Sequence, residues 1–379
     1  MNLSGGPPKA HEDKRGFPAV VELYAFVAEN RDYFDGDRSG ANVAILYSQD
    51  TLFYYGRDEA RKRYVDAIRG VEQALSDHHV PFDIVSERAF ASERMAQYDV
   101  LVLPAAACMS EATADAIRAF ADRGGGVVAT FETSLYDPDG HRRGDFLLAD
   151  VFGATYRGTG SVMGDDDGVY KQAYMNVKDA DHPLLRGLGN TRVVPAAQSF
   201  CRVDARPGAA APLALSAAFR VFPEGMSYTR EPETGFPMAL TTERASGGRT
   251  VYFAGRPDAS YLAIGYPDWG LLLANAAKWA ARGRLVVETD APPTLLTTVR
   301  AQPGRTLVHL VNVDGGRRMF ARTTPARDVA VSVPAVDGAA PRRAFALSDK
   351  RELPIETRPS GATVVLDRVN DYEIVVFET

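Results

Sequence analysis

Cysteine is scarce in this sequence: Cys108 and Cys201 are the two in 379 residues, and both stand in apolar surroundings. That usage points away from a disulfide framework and suits buried thiols in a reducing compartment. Histidine is nearly as rare. His11, His78, His79, His141, His182 and His309 form neither an HExxH pair nor a Cys/His quartet, so no metal is expected. A basic excess is also missing. Forty-three Lys and Arg stand against 49 Asp and Glu, a net charge of −6, which excludes a nucleic-acid partner or an anionic membrane surface, because no counterions are there to be released. No run approaches the roughly 18 apolar residues of a membrane span. The first residues, MNLSGGPPKAHEDKRG, lack the apolar centre of a signal peptide. The expectation is a cytoplasmic protein.

What is present is ordinary globular material, 45% hydrophobic and 24% charged, long enough for two or three domains. After a Gly/Pro/charge-rich start that reads as a tether, Val20, Leu23, Tyr24 and Val27 make a stripe at helical spacing, predicting a helix over 18–30. Continuous apolar runs at 41–47, 100–103 and 127–131, with a shorter strand at 81–86, read as parallel strands covered on both faces. Amphipathic stretches at 57–78 and 110–122 separate them. Strand and helix in alternation predict a parallel sheet with right-handed crossovers. A short helix at 146–152 follows. Residues 153–250 read as mixed strands and loops with cores at 212–215 and 237–240, then a strand at 250–254 and a closing helix at 266–282 stopped by Gly283. Beyond Arg284 the texture is all β. Short runs at 294–300, 306–313, 328–333, 344–347, 362–366 and 372–377 predict a small antiparallel sandwich, with Asp314-Gly315-Gly316 as a hairpin turn.

Tyr98–Thr130, YDVLVLPAAACMSEATADAIRAFADRGGGVVAT, is the most informative segment: strand, turn, helix, glycine stop, strand. It places Cys108 where a strand hands over to a helix, the position where ligands and nucleophiles collect on such sheets. Gly124–Gly126 follows a helix, so it is a helix stop and not a phosphate loop, and no cofactor is expected. The runs Asp137-Pro138-Asp139-Gly140 and Asp165-Asp166-Asp167-Gly168 lack the ligand alternation of a calcium loop and read as turns. Paired carboxylates for glycoside cleavage stand about 5–9 Å apart. Glu132, Asp258 and Glu224 are conceivable members, though no spacing singles them out. His78 and His79 follow a helix end and suit capping. His309 reads as a satisfied core histidine, and His182 precedes Pro183 at a turn. Phe53, Tyr54, Tyr55, Tyr136, Tyr228, Tyr261, Tyr266 and Trp269 are expected in loops, where stacking platforms for sugar rings are one reading and subunit contacts, where aromatics are enriched, another.

VLVLPAAACMSEATADAIRAFADRGGGVVAT resembles a segment of the middle domain of family 42 β-galactosidases. Other segments match that family in order: ANVAILYSQDTLFYYG, HRRGDFLLADVFGATYRG, GGRTVYFAGRPDASYLAIGYPDWGLLLANAAKWAA, and RTLVHLVN with DYEIVVFET. The resemblance implies a flavodoxin/amidotransferase-like three-layer α/β domain of the trimerisation type at 41–284. Before it comes a leader with a first helix at 1–40, and after it an all-β antiparallel sandwich domain at 285–379. Those enzymes carry their catalytic glutamates on a TIM barrel, for which the residues before Gly40 are too few, since a barrel needs roughly 200 or more.

Cys108 is the one candidate nucleophile. An amidotransferase nucleophile needs a Gly-flanked elbow and a His held by an acid. Here Ala105, Ala106, Ala107 and Met109 flank the thiol, and Arg256-Pro257-Asp258 stands where active relatives have His-Pro-Glu. The resemblance therefore implies no catalytic residue and a non-catalytic oligomerisation or accessory module of a β-galactosidase-like system. Its partner would be itself, as a trimer, or a TIM-barrel glycosidase chain, with carbohydrate as a further candidate. The rival readings are a stand-alone glycosidase- or amidotransferase-like hydrolase with its site at the strand ends, and a carbohydrate-binding protein.

Overall fold

A computed structural model describes residues 16–91, 93–162, 171–228, 233–314, 323–335 and 338–379. The Asp165–Gly168 turn and the Gly315-Gly316 pair lie outside the described residues. The apolar runs form the interior of a nine-stranded sheet. Its strands in chain order are β1 (Val43–Tyr47), β2 (Phe82–Ser86), β3 (Val100–Leu103), β4 (Gly126–Thr130), β5 (Tyr174–Val177), β6 (Val193–Pro195), β7 (Ala210–Ser216), β8 (Glu233–Glu243) and β9 (Arg249–Phe253). In space the order is β2-β1-β3-β4-β9-β8-β7-β5-β6. The first five run parallel, in register Ile45–Val102–Val128–Val251. The remaining pairings are antiparallel. β3 and β4 are buried along their whole length, as strands without an alternating pattern must be.

The helices are α1 (Phe17–Glu29), α2 (Asp66–Asp77), α3 (Glu111–Asp122), α4 (Ala149–Phe152), α5 (Pro257–Ile264) and α6 (Pro267–Ala280). Ser110 caps α3, its hydroxyl accepting from the Thr113 amide at 3.1 Å. Gly124 ends that helix at φ +94°, a value that costs glycine little. α2, α5 and α6 pack on one another, whereas α3 lies against β4. The stretch expected as one helix over 57–78 is instead a 3-10 turn (Arg57–Glu59), a π turn (Arg61–Val65) and α2. The wide π turn aims Tyr64 into the core, where its hydroxyl accepts from the Ser48 amide at 2.6 Å.

The second half forms two antiparallel sheets around one core of Leu295, Val308, Leu310, Val331, Leu366 and Phe377. Arg305–Asn312 pairs with Leu295–Gln302 and Tyr372–Glu378, while Ala326–Pro334 belongs to the other sheet and pairs with Gly361–Val369. The strands on either side of 314–316 therefore lie in different sheets.

The N-terminal segment departs most from expectation. Leu23 and Tyr24, two members of the anticipated stripe, are 56% and 69% exposed. α1 turns Phe26 inward, at 6.2 Å from the rings of both Phe34 and Tyr372. Phe26, Tyr33 and Phe34 cover Leu307, Phe345 and Ile374, on the face of the six-stranded sheet away from the sandwich core. Arg38–Ser39 then adds an edge strand beside Leu295–Gln302, and Arg300 holds Asp37 bidentately at 2.7 and 2.9 Å.

Candidate functional site at the strand ends

Chain reversals after β1, β3, β4 and β9 meet at the carboxyl ends of the parallel strands. Three non-glycine residues there sit at positive φ: Ala105 at +45°, Phe131 at +53° and Ser134 at +63°. Such backbone persists only where its surroundings hold it. The Ala105 amide donates to Thr130 Oγ1 at 2.9 Å, and the Thr130 hydroxyl donates to Asp258 Oδ2 at 2.6 Å. Asp258 is wholly buried in the first turn of α5. Burial raises its carboxyl above the usual range, against the pull of the nearby Arg256. Backbone bonds from Ser134 to Ala106, Tyr136 to Ala107 and Met109 to Tyr136 zip the turn after β3 to the turn after β4.

This corrects one expectation from the sequence. A strained turn does follow β3 although no glycine is present, because Ala105 takes the positive φ. A nucleophile elbow places its Ser or Cys on such a strand-to-helix turn. Here the strained residue has a methyl group, and Cys108 comes three residues later.

Cys108 is 2% exposed and packs with Tyr55, Ala107 and Tyr136. Its amide donates to Thr51 Oγ1 at 3.0 Å. Burial pushes the thiol up to about 12, with the charges of Asp50 and Asp137 adding to the effect. Cys201 lies in the strand Ser199–Ala205, also fully buried, and its thiol is raised by burial first and by Glu132 second. Arg256, standing where the family comparison looks for a base, donates Nη2 to the carbonyls of Lys62 and Arg63 at 2.8 and 3.0 Å. Among the described residues no imidazole forms a hydrogen bond with Cys108.

Of the three candidate carboxylates, two sit in this region. Glu132 is 6% exposed, and hydroxyls saturate it: Tyr55 donates at 2.7 Å, Thr159 at 2.6 Å and Tyr136 at 3.4 Å. The Arg63 guanidinium lies 4.0 Å over the Tyr55 ring. Neither Glu132 nor Asp258 is open to a sugar. Glu224 is exposed on the turn Glu224–Met226 and enters none of these bonds. The hydroxyl network around Glu132 has no sequence signature, since its members come from three separate segments.

Other anticipated residues fall elsewhere. Asp137, Asp139 and His141 bring their ligand atoms within 4.8 Å of one another. Asp137 Oδ1 already accepts the amides of Asp139 and His141 at 3.0 and 2.8 Å, so the acids shape a turn. His78 caps α2 as expected, but His79 does not. It is buried at φ +54° and reaches the β-sandwich, with Nδ1 3.1 Å from Thr297 Oγ1 and Nε2 2.8 Å from the Ala291 carbonyl. His182 caps the turn Pro183–Leu185. His309 is half-buried, with Nδ1 2.8 Å from the Tyr372 hydroxyl and Nε2 without a partner.

The aromatics expected in loops divide, and two of them are corrected: Tyr261 lies in α5 and Trp269 in α6. Phe53, Tyr54, Tyr228 and Tyr266 are exposed. Tyr55, Tyr261 and Trp269 are buried and bonded inward, to Glu132, Asp77 and the Pro195 carbonyl, and Tyr136 is half-buried. Those four are therefore not available as contact surface.

Residues 41–177 match the family described as the β-galactosidase trimerisation domain. Among curated proteins none matches. Solved structures do. An α-L-fucosidase isoenzyme 2 from Paenibacillus thiaminolyticus superposes with a TM-score of 0.67 at 18% identity, over 94% of this chain and 51% of that one. A β-galactosidase from Bacillus circulans sp. alkalophilus gives 0.64 at 17%, over 97% and 46%. A catalytic mutant of Gan42B, a GH42 β-galactosidase from G. stearothermophilus, gives 0.64 at 16%, over 97% and 44%. The chain thus spans about half the length of these structures, and the likeness is one of fold. No helix among the described residues is long and apolar enough to cross a membrane.

Proposed function

We propose that this chain, whose residues 41–177 match the β-galactosidase trimerisation domain family, is an assembly module of a β-galactosidase-like glycoside hydrolase system and performs no hydrolysis itself. The family match carries the reading, and the shared fold over 97% of the chain supports it. In this reading residues 41–284 are an amidotransferase-like domain with its chemistry absent, and 285–379 the accompanying sandwich. The strand ends support the loss of chemistry. The strained position is Ala105, the nearby thiol is buried with no imidazole bonded to it among the described residues, and both buried carboxylates are engaged by internal donors on each oxygen. Glycoside cleavage needs two carboxyl groups free to flank one bond.

The partner is a second and third copy of this chain, or a barrel-bearing glycosidase chain. Phe53 and Tyr54, exposed in the turn Thr51–Gly56 within the matched segment, supply apolar contact surface. The test pairs activity with mass. Purified protein should hydrolyse aryl β-galactosides only at background across several pH values while running as an oligomer. Turnover that survives a second purification and disappears on changing one Glu or Asp would overturn the non-catalytic reading.

A further inference from the structure

A groove of about 520 Å³ lies beside the C-terminal end of α6 and extends to Leu285 and Glu288, at the entrance to the sandwich. Its charged lining is one-sided: Arg186, Arg249, Lys278 and Arg282 against the single carboxylate Glu288. Among the described residues no carboxylate pairs with Arg186, Lys278 or Arg282. Arg249 places Nη2 on Glu243 at 3.3 Å and Nη1 on the Trp279 carbonyl at 3.4 Å, and its Nε is buried with no partner. The Arg282 guanidinium is held against bare backbone: a Cβ on Gly247 would fall 2.6 Å from its Nη1, and one on Gly124 3.4 Å from its Nη2. Cations gathered around one concavity, three of the four without a carboxylate partner among the described residues, repel one another and focus a field that attracts anions.

One wall is the half-buried indole of Trp279, with the Arg249 guanidinium 5.1 Å from its ring centre. The volume falls in the range of about 300–1,000 Å³ seen for small-molecule sites, far more than one oxyanion fills. Arginine forks and a lysine ammonium suit a tetrahedral dianion, and a flat apolar wall suits a ring attached to it. Burial depresses the Lys278 ammonium below its ordinary range, a penalty that a bound dianion would offset.

We propose that this groove binds a phosphate-bearing small molecule, the phosphate among Arg186, Arg249, Lys278 and Arg282 and the body of the ligand along Trp279. The proposal stands apart from the assembly reading, since nothing in it depends on oligomeric state. Calorimetric titration of the full chain at constant ionic strength tests it, with inorganic phosphate, a hexose 6-phosphate and the uncharged hexose as probes. The expected result is one saturable site per chain for the ester and none for the hexose. Binding should weaken at least tenfold in Lys278→Ala and in Arg186→Ala, the latter on an exposed residue whose truncation leaves the core untouched. Free phosphate binding as tightly as the ester would keep the site and identify phosphate itself as the ligand. No saturable binding by either phosphate, or affinity unchanged in both variants with native circular dichroism, would overturn it.

Discussion

Cys108 illustrates what can be decided residue by residue. Its apolar flanks made a buried thiol legible in the sequence, and that burial lifts it to about 12. At about pH 8 so little thiolate remains that iodoacetamide should label Cys108 on the order of a thousandfold more slowly than a free cysteine thiol. Peptide mapping of natively alkylated protein measures this, and labelling at the rate of glutathione would contradict it. The rest of the site was not legible. Ala105 adopts φ +45° in a run of alanines that hides which of them is strained. Glu132 is defined by Tyr55, Tyr136 and Thr159, which share no spacing. His79 looked like a helix cap beside His78 because both follow α2, yet its partners, Thr297 and Ala291, lie more than 200 residues away. Local chemistry is written in local sequence, whereas a network closed by tertiary contacts is not.

Among the elements, the buried strands β1, β3 and β4 were read almost to the residue, because a strand covered on both faces has a composition of its own. α1 was read as a helix with the wrong inward face. Its apolar residues run around the cylinder, and only packing of Phe26 against Phe34 and Tyr372 selects one side. That Arg305–Asn312 and Ala326–Pro334 lie in different sheets was hidden, because a turn signal does not say whether the chain stays in its sheet. The tight joint between α2 and α5 was equally hidden. A Cβ on Gly70 would lie 1.9 Å from the backbone oxygen of Asp258. Gly→Ala in a free helix gains up to about 1 kcal/mol, but here the opposing atom is backbone and cannot swing aside. Gly70→Ala should therefore lower stability by about 1–3 kcal/mol, as read by urea unfolding. A variant as stable as the parent would show that α5 can slide away from α2 freely.

For the whole molecule, polar contacts tie the α/β half to the sandwich. His79 reaches Thr297 and Ala291, Asn42 donates to the Arg284 carbonyl at 2.6 Å, and Arg284 pairs with Asp99 at 2.6 Å. Burial lowers the His79 pKa, partly offset by its bond to the Ala291 carbonyl. The unfolded chain therefore takes up this proton first as pH falls. The stabilisation is complete above about 6.5, the unfolded value, and is lost as pH drops below it toward the folded value. His78, His182 and His309 shift in the same direction, so the parent protein sums four contributions. His79→Gln should be less stable by about 1–3 kcal/mol near neutrality and should lose less Tm than the parent between about pH 7.5 and 5.5. Parallel Tm profiles would contradict the assignment. The claim that organises the molecule is assembly, and multi-angle light scattering behind size exclusion tests it most directly. The account predicts a species of three times the 41.1 kDa chain mass at micromolar concentration, and a lower mass when Phe53 and Tyr54 are both changed to Ser. A single species at 41.1 kDa, unchanged as the load is raised from the detection limit to the solubility limit, would contradict it.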